Sequence, residues 1–282
     1  GSTDNTKEFV ERLFPEVKVI RLEKNRGYSG GFNFGLDFAF NRMKADYVLI
    51  SNNDVKADKN VIKELIKVTM MDDKNGFVSG KVYFYDKPDT LQTVGKRWHP
   101  ILWSGPHIGA NEKDIGQYEN VAERAFLDDI FTLVPRRLYE ETGGYDTDFY
   151  LQAEEFDWQV RAKRLGWKLY YTPHAKIWHK GSATIGGLGS PISTFFYIRN
   201  HIIVVFKHGK LGQKIRIWIY FCCTCLISTI KVALKYMMGR KARILSVLAQ
   251  MLGLLSSIKW IFFKRTISKV PKPIEVLNRM AQ

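Results

Sequence analysis

The chain has 282 residues, of which 45% are apolar and 25% are charged, so a packed core is expected and a disordered polyelectrolyte is excluded. The net charge of +15 is unevenly placed, because residues 195–282 contain 16 Lys and Arg but a single acid, Glu275. Residues 1–194 contain 27 basic and 27 acidic residues, so a neutral body carries a strongly basic tail.

The first half of the chain alternates predicted strands with predicted helices. After a short helix at residues 7–14, the apolar patterns predict strands at 17–22, 46–51 and 76–85 and helices at 31–44 and 58–71. This alternation is typical of a three-layer α/β domain. No strand precedes the first helix, so we expect either that an N-terminal strand is absent or that Gly1 and Ser2 are a cloning remnant.

The next part of the chain begins with an irregular segment, residues 86–123, which is rich in Gly, Pro, His and Trp. It predicts a long loop or an edge hairpin, and loops of that length are often functional. A strand at 125–134, helices at 136–144 and 154–166, and strands at 168–172 and 175–180 are predicted to follow. We therefore expect one α/β domain at residues 1–194 and a separate helical region at residues 195–282.

The basic tail contains two uncharged apolar runs, residues 217–230 and 244–258, each flanked by Lys or Arg. Spanning a bilayer takes roughly 20 apolar residues, and runs of about 10–14 more often lie in the interface or in a core. Aromatic residues near both ends favour helices lying on an anionic membrane surface. The alternative is a soluble subdomain that packs these faces internally. Nucleic acid is not expected as a partner, since phosphate binding does not need long uncharged runs.

Glycines and polar residues follow two of the predicted strands. The stretch NRGYSGGFNFG, residues 25–35, has four glycines, which is typical of close backbone approach to a ligand, but it lacks the Lys-Ser/Thr of a P-loop. Asn52, Asn53 and Asp54 stand at the carboxyl end of the strand at 46–51, where open α/β sheets bind ligands. A carboxylate there can hold a divalent cation. The alternative is that Asn and Asp end the strand because they favour turns.

Two further positions carry candidate chemistry. Glu154, Glu155 and Asp157 crowd the first turn of a predicted helix, where a carboxylate near an acceptor hydroxyl can act as general base. The alternative is stabilisation of the helix dipole, with an i,i+4 pair between Asp157 and Arg161. His179 ends a predicted strand and is either structural or, with Asp54, part of a site suited to Mn²⁺ or Mg²⁺.

Six motifs in a fixed order carry a family resemblance: STDNT, NRGYSGGFNFG, DYVLISNNDV, GGYDTDFYLQAEEFDWQVRAKRLGW, PHAKIWHKGSAT and FFYIRNHIIV. In this order they resemble the family-2 inverting glycosyltransferases of the GT-A fold, and among these the rhamnosyl- and galactofuranosyltransferase-like branch. The resemblance covers residues 2–206. It implies a Rossmann-like α/β domain with a mixed, mostly parallel sheet.

The resemblance also implies roles for individual residues. Asp54 and His179 match metal ligands for Mn²⁺ or Mg²⁺, with Asn52 in place of the first acid of the metal motif. Glu155 matches the catalytic base, with Glu154 and Asp157 as further catalytic candidates. Contacts to a nucleotide-sugar donor are implied for Asp4, Asn25, Gly30, Gly31, Asn33, Asn52, Asn53 and Arg199.

These observations predict an enzyme. We expect transfer of a sugar from a dTDP- or UDP-sugar to a glycan or lipid-linked acceptor in cell-surface polysaccharide synthesis. All three cysteines lie in the first apolar run without partners at zinc-ligand spacing, which indicates a reducing compartment. The expected location is therefore the cytoplasmic face of the membrane, peripherally bound; a homo-oligomer is left open. The alternative is a non-catalytic relative in a polysaccharide assembly complex.

Overall fold

The computed structural model describes residues 1–2, 4–181, 189–238, 244–264 and 266–281. The described α-helices are α1 (Thr6–Leu13), α2 (Gly27–Asp37), α3 (Val61–Thr69), α4 (Arg136–Thr142), α5 (Glu154–Arg164), α6 (Pro191–His208), α7 (Leu211–Met237), α8 (Ile244–Phe263) and α9 (Lys272–Ala281). The described strands are β1 (Tyr47–Ser51), β2 (Val55–Ala57), β3 (Asn75–Phe84), β4 (Lys87–Thr93), β5 (Lys96–His99), β6 (Trp103–His107), β7 (Ala122–Glu123), β8 (Phe131–Pro135) and β9 (Lys168–His179). A π-helical segment, Phe38–Arg42, continues α2.

The main sheet has the strand order β1-β8-β3-β9-β2, with β4 paired to β3 and β7 paired to β9. The long pair β3–β9 is parallel, and the other described pairs of this sheet are antiparallel. As a result β1, β3 and β9 run in one direction, and β8 runs between β1 and β3 in the opposite one. The predicted α/β fold with a mixed sheet is confirmed.

Helices cover both faces of the main sheet. On one face α3 buries Val61 and Leu65, which are spaced i, i+4 on one side of the helix. On the other face α2, α4 and α5 pack, and Trp158 of α5 lies edge-on to Phe77 of β3 with ring centroids 5.0 Å apart. Phe77 and its neighbour Val78 point into opposite layers, as side chains of successive strand residues do. The three-layer architecture therefore follows from the apolar pattern of the strands.

One strand prediction is wrong, and another is confirmed only in its second half. Residues 17–22 form no strand, and no described strand pairs with them, so their apolar alternation has no hydrogen-bonding neighbour to stabilise it. The strand predicted at 125–134 begins only at Phe131. Residues 127–129 precede it as irregular backbone, and this loop turns two carboxylates toward the site described below.

The two strands predicted at 168–172 and 175–180 form the single strand β9. Its pairing with β3 shifts register between Gly80 and Lys81, where Thr172 and Lys176 are the successive partners. A Cβ at Gly80 would collide with the carbonyl oxygen of Ala175, so glycine permits the irregularity. The segment 86–123 contains β4, which pairs with β3 of the main sheet, and the β5–β6 hairpin, which forms a separate two-stranded sheet.

Helix α6 joins the sheet domain to the other C-terminal helices. Arg199 and Asn200 on α6 are fully buried and bond to backbone carbonyls of residues 148, 151 and 152. Lys207 near its end pairs with Asp146 and Asp148. Because α6 starts at Pro191 and packs on α5, α8 and α9, it is shared by both predicted regions. The division between residues 194 and 195 stays a prediction.

Candidate active site

Asp54 and His179 are brought together by an antiparallel strand pair. Val55 of β2 is the register partner of His179 at the end of β9, so the residue before β2 lies beside the histidine. Asp54 Oδ1 lies 3.1 Å from His179 Nε2. The Lys180 amide donates to the Asp54 carbonyl at 3.1 Å, which fixes the loop that carries the carboxylate. Two residues 125 positions apart in sequence thus form one local pair.

Gln92 of β4 orients the histidine. Its Oε1 lies 2.7 Å from His179 Nδ1, and because an amide oxygen only accepts hydrogen bonds, Nδ1 carries the proton. Nε2 then presents its lone pair toward Asp54. Burial lowers the pKa of His179, against the opposing charge of Asp54, so the neutral imidazole is favoured. A hydrogen bond of this kind commonly fixes the tautomer of a metal-binding histidine.

The pair fits a divalent cation. A lone pair on Nε2 and a carboxylate oxygen 3.1 Å away repel each other unless a proton or a cation lies between them. Octahedral coordination at about 2.1 Å places neighbouring ligand atoms about 3.0 Å apart, close to the observed separation. Asn52 Nδ2 lies 3.4 Å from the same Nε2, so this side chain borders the pair. Asn53 is exposed beside it.

A second group consists of three carboxylates. Asp129 precedes β8, Glu154 and Glu155 begin α5, and one oxygen from each lies within 4.8 Å of the others. Burial, followed by the charge of Glu155, raises the pKa of Asp129 to about 7, and the same two causes raise the pKa of Glu154 well above its ordinary value. Glu154 Oε2 is buried without a described hydrogen-bond partner. These shifts favour the protonated forms of Asp129 and Glu154.

Lys96 of β5 connects the carboxylates to the rest of the site. Its Nζ lies 2.7 Å from Asp128 Oδ1 and 3.3 Å from Glu155 Oε1. Burial opposes the charged lysine, but the charges of Asp128 and Glu155 outweigh it and raise the pKa of Lys96. Asp128 also accepts from Thr93, the neighbour of Gln92 on β4, and its charge acts on His179. The Asp54–His179 pair and Glu155 therefore belong to one polar site.

Asp157 lies outside this site. It is fully buried, with Oδ2 2.9 Å from Arg161 Nε and Oδ1 2.7 Å from His208 Nε2 at the end of α6. Its pKa is lowered, because the hydrogen bond from His208 and the charge of Arg161 overcome the burial that raises it. Both oxygens are engaged, so these contacts favour a structural role over the predicted catalytic one and confirm the alternative i,i+4 pair.

Four of the predicted donor contacts lie around the glycine-rich stretch. Asn25 and Gly31 line a cavity of about 650 Å³ between α1, α2 and residues 18–22. Asn25 Oδ1 also accepts from the Gly27 amide at 2.8 Å. Gly30 of α2 lies against Arg26, the residue before the helix. Asn33 bonds through its side-chain oxygen and nitrogen to the backbone of Tyr145, both at 2.8 Å. The Asn33 side chain is thus engaged in holding α2 to the loop before α5.

Asp4 and Arg199 were also predicted to contact the donor. Asp4 is exposed and accepts from Thr6 at 2.5 Å. Arg199 is fully buried in α6, where burial lowers its pKa to about 10. It donates to the Asp148 carbonyl at 3.1 Å and to Asn200 Oδ1 at 2.6 Å. A direct donor contact from Arg199 is therefore not supported, because its guanidinium lies in the packed core.

Comparison with known proteins places the chain in a family. The family model described as glycosyl transferase family 2 matches residues 1–141, which is half of the 282-residue chain. The chain belongs to glycosyl transferase family 2. The matched residues include Asp54, the glycine-rich stretch, and the β4 and β5 strands that carry Gln92 and Lys96.

Two curated relatives of this family-2 chain are rhamnosyltransferases by name. The chain is 22% identical over 211 residues to the N-acetylglucosaminyl-diphospho-decaprenol L-rhamnosyltransferase of Mycobacterium tuberculosis, covering 66% of each. It is 23% identical over 233 residues, 79% of this chain and 75% of the relative, to the dTDP-rhamnosyl transferase RfbF of Shigella flexneri. The match thus spans just under two thirds of the mycobacterial relative.

A solved structure supports the fold. The structure of GalNAc-T7 with UDP, GalNAc and Mn²⁺ superposes with a TM-score of 0.51 at 15% identity, covering 72% of this chain and 39% of that one. At this identity the likeness concerns the fold alone, and it agrees with the predicted GT-A architecture.

Four residues of this candidate site were not predicted from the sequence. Gln92 and Lys96 lie in the segment expected to be a loop or hairpin, and Asp128 and Asp129 lie in a stretch expected to be strand. The sequence signal that could have revealed Asp128 and Asp129 was the presence of two adjacent acids inside an otherwise apolar stretch, because buried strands rarely hold unpaired acids.

Asp129→Asn is expected to stabilise the protein increasingly as pH rises from about 4 to about 7. Across this window the unfolded chain loses the proton of Asp129, while the folded protein retains it because its pKa is about 7. The native carboxylate therefore costs folding free energy above this window, with an upper limit of about 4 kcal/mol. Denaturant unfolding at pH 5 and pH 8 measures the difference. An equal effect of the substitution at both pH values would contradict the assignment.

Proposed function

We propose that this chain transfers a sugar from a dTDP- or UDP-sugar to a glycan or lipid-linked acceptor, with inversion at the anomeric carbon. The observation that carries the proposal is the Asp54–His179 pair, which lies in the same polar site as Glu155. The names of the two bacterial relatives, one a dTDP-rhamnosyl transferase and the other acting on a decaprenol-linked sugar, support this choice of donor and acceptor.

Asp54 and His179 would hold Mn²⁺ or Mg²⁺. When bound, such a cation neutralises the diphosphate that leaves with the nucleotide. Gln92 keeps Nε2 of His179 unprotonated, and Asn52 borders the pair at 3.4 Å. The matched structure was solved with Mn²⁺, which supports a metal in this fold but does not choose between the two ions.

Glu155 is proposed as the general base. Of the three clustered carboxylates, Glu155 is the one that contacts the Lys96 ammonium, at 3.3 Å. The raised pKa of Asp129 and of Glu154 favours the protonated forms of these two neighbours over the ionised ones. Glu155 takes the proton from the acceptor hydroxyl as that oxygen attacks the face opposite the leaving diphosphate.

The proposed setting is cell-surface polysaccharide synthesis at the cytoplasmic face of the membrane. A lipid-linked acceptor keeps the reaction at the membrane, and the basic, apolar C-terminal helices support attachment there. The chain would then reach its acceptor by diffusing along the membrane surface.

Thermal unfolding with a panel of UDP-, dTDP- and GDP-sugars, with and without Mn²⁺, tests the proposal. We expect one nucleotide class to raise the unfolding temperature only when Mn²⁺ is present, because Asp54 and His179 would hold the cation and its charge would attract the diphosphate. The anomeric configuration of the product, read by NMR, tests inversion. No shift with any donor would favour the non-catalytic alternative, and a retained configuration would exclude direct displacement.

A further inference from the structure

The outer faces of α7 and α8 carry aligned apolar side chains. Ile219, Leu226 and Ile230 lie on one side of α7, at spacings of seven and four residues. Leu248, Leu255 and Phe262 lie on one side of α8, at spacings of seven. These six side chains, here called the outer stripe, are between 41% and 73% exposed. An apolar surface of this extent on two adjacent helices indicates a binding surface.

The inner face of α8 packs against the rest of the protein. Val247, Gly253 and Trp260 are buried, and a Cβ at Gly253 would lie 2.9 Å from the Phe195 carbonyl oxygen of α6. The backbones of α6 and α8 are therefore in close contact. Helix α6 is itself held to the α/β domain by the fully buried Arg199, which donates to the Asp148 carbonyl. Surrounding α8 with lipid on all sides would separate it from α6 and remove this backbone contact.

Exposed lysines lie on the same two helices as the outer stripe. Lys231 and Lys235 on α7 and Lys259 on α8 are exposed, and none of them forms an ion pair with a described carboxylate. Lys259 follows Leu255 by four residues and precedes Phe262 by three, so it lies beside the outer stripe. Lysines beside an apolar face attract anionic lipid headgroups while the apolar side chains enter the acyl boundary.

We propose that the outer stripe and its lysines bind an anionic lipid bilayer with α7 and α8 lying in the membrane plane rather than crossing it. Both helices are long and apolar enough to cross a membrane by length and composition. Because the inner face of α8 packs against α6, α8 is not free to cross the membrane. The lysines favour a bilayer with anionic headgroups. This refines the membrane location proposed above, and its tests do not use transferase activity, so the two proposals can fail separately.

Vesicle co-sedimentation of the full chain tests the surface. We expect binding to vesicles of equal parts phosphatidylglycerol and phosphatidylcholine, and at least about tenfold weaker binding to phosphatidylcholine alone. Leu226→Glu with Ile230→Glu should reduce binding to the anionic vesicles by about tenfold or more. The matched control is Ile62→Glu with Met70→Glu on the α/β domain, where side chains 57% and 72% exposed lie away from the tail. The proposed membrane-binding surface would be contradicted if both double variants reduced vesicle binding equally, or if the wild type bound both kinds of vesicle equally.

Cysteine labelling tests whether the helices cross. In a variant carrying Cys222→Ser, Cys223→Ser and Cys225→Ser, a single cysteine is introduced by Met238→Cys at the end of α7 or by Met70→Cys on the α/β domain. Sealed spheroplasts of a bacterial host are treated with a membrane-impermeant maleimide before and after lysis. We expect both positions to react only after lysis. Reaction at position 238 in sealed spheroplasts would show that α7 crosses the membrane and would overturn the in-plane arrangement. Retained vesicle binding by the cysteine-free variant shows that it folds.

Discussion

Glu155→Gln is expected to reduce the rate of sugar transfer by about 10²- to 10⁴-fold while donor binding changes little. The substitution keeps the size of the side chain and removes its ability to take a proton from the acceptor hydroxyl. Lys96 keeps its partner Asp128 at 2.7 Å, so the local structure should persist. Initial rates with saturating donor and a thermal-shift titration with the donor measure the two quantities separately.

Glu154→Gln is the matched control for this prediction. Burial and the charge of Glu155 raise the pKa of Glu154 well above its ordinary value, which favours the protonated side chain over the carboxylate. An amide in its place should therefore reduce the rate much less than Glu155→Gln does. Inactivation by Glu154→Gln together with normal turnover of Glu155→Gln would assign the base to Glu154 instead.

His179→Ala and Asp54→Ala are each expected to raise the Mn²⁺ concentration needed for half-maximal donor binding by about 100-fold or more. The two side chains lie 3.1 Å apart and act on one cation, so the double variant should be less impaired than the sum of the single effects predicts. Gln92→Leu removes the hydrogen bond that orients His179 and should weaken the binding of Mn²⁺ by about 10- to 100-fold.

His174→Ala is the control for the histidine variant, because His174 lies on the same strand and is exposed. Its Mn²⁺ titration should match that of the wild type. Strictly additive losses for Asp54 and His179, or equal losses for His174 and His179, would contradict a shared cation.

Much of the fold could be predicted because its signals are local. The apolar stretches at β1 and β3, and the i, i+4 spacing on α3, specify buried strands and a covering helix without any knowledge of partners. The prediction of a strand at residues 17–22 was wrong because strand formation also depends on a partner that is distant in sequence. An alternating pattern becomes a strand only beside another strand, and no described strand lies there.

The candidate site could be predicted only in part. Asp54, Glu155 and His179 stand in recognisable motifs at the ends of elements. Gln92, Lys96 and Asp128 acquire their roles from pairings between distant segments, such as the Lys96–Asp128 contact at 2.7 Å. Asp157 and Arg199 stand in the same motifs as functional candidates but point into the core, and a motif does not report the direction of a side chain.

A crystal structure of the chain soaked with Mn²⁺ and a nucleoside diphosphate, with an anomalous difference map, tests the central claim most directly. The account predicts one strong anomalous peak within coordination distance of Asp54 and of His179 Nε2, with the diphosphate on its open side. A peak held instead by Asp129, Glu154 and Glu155, or no peak beside His179, would contradict it.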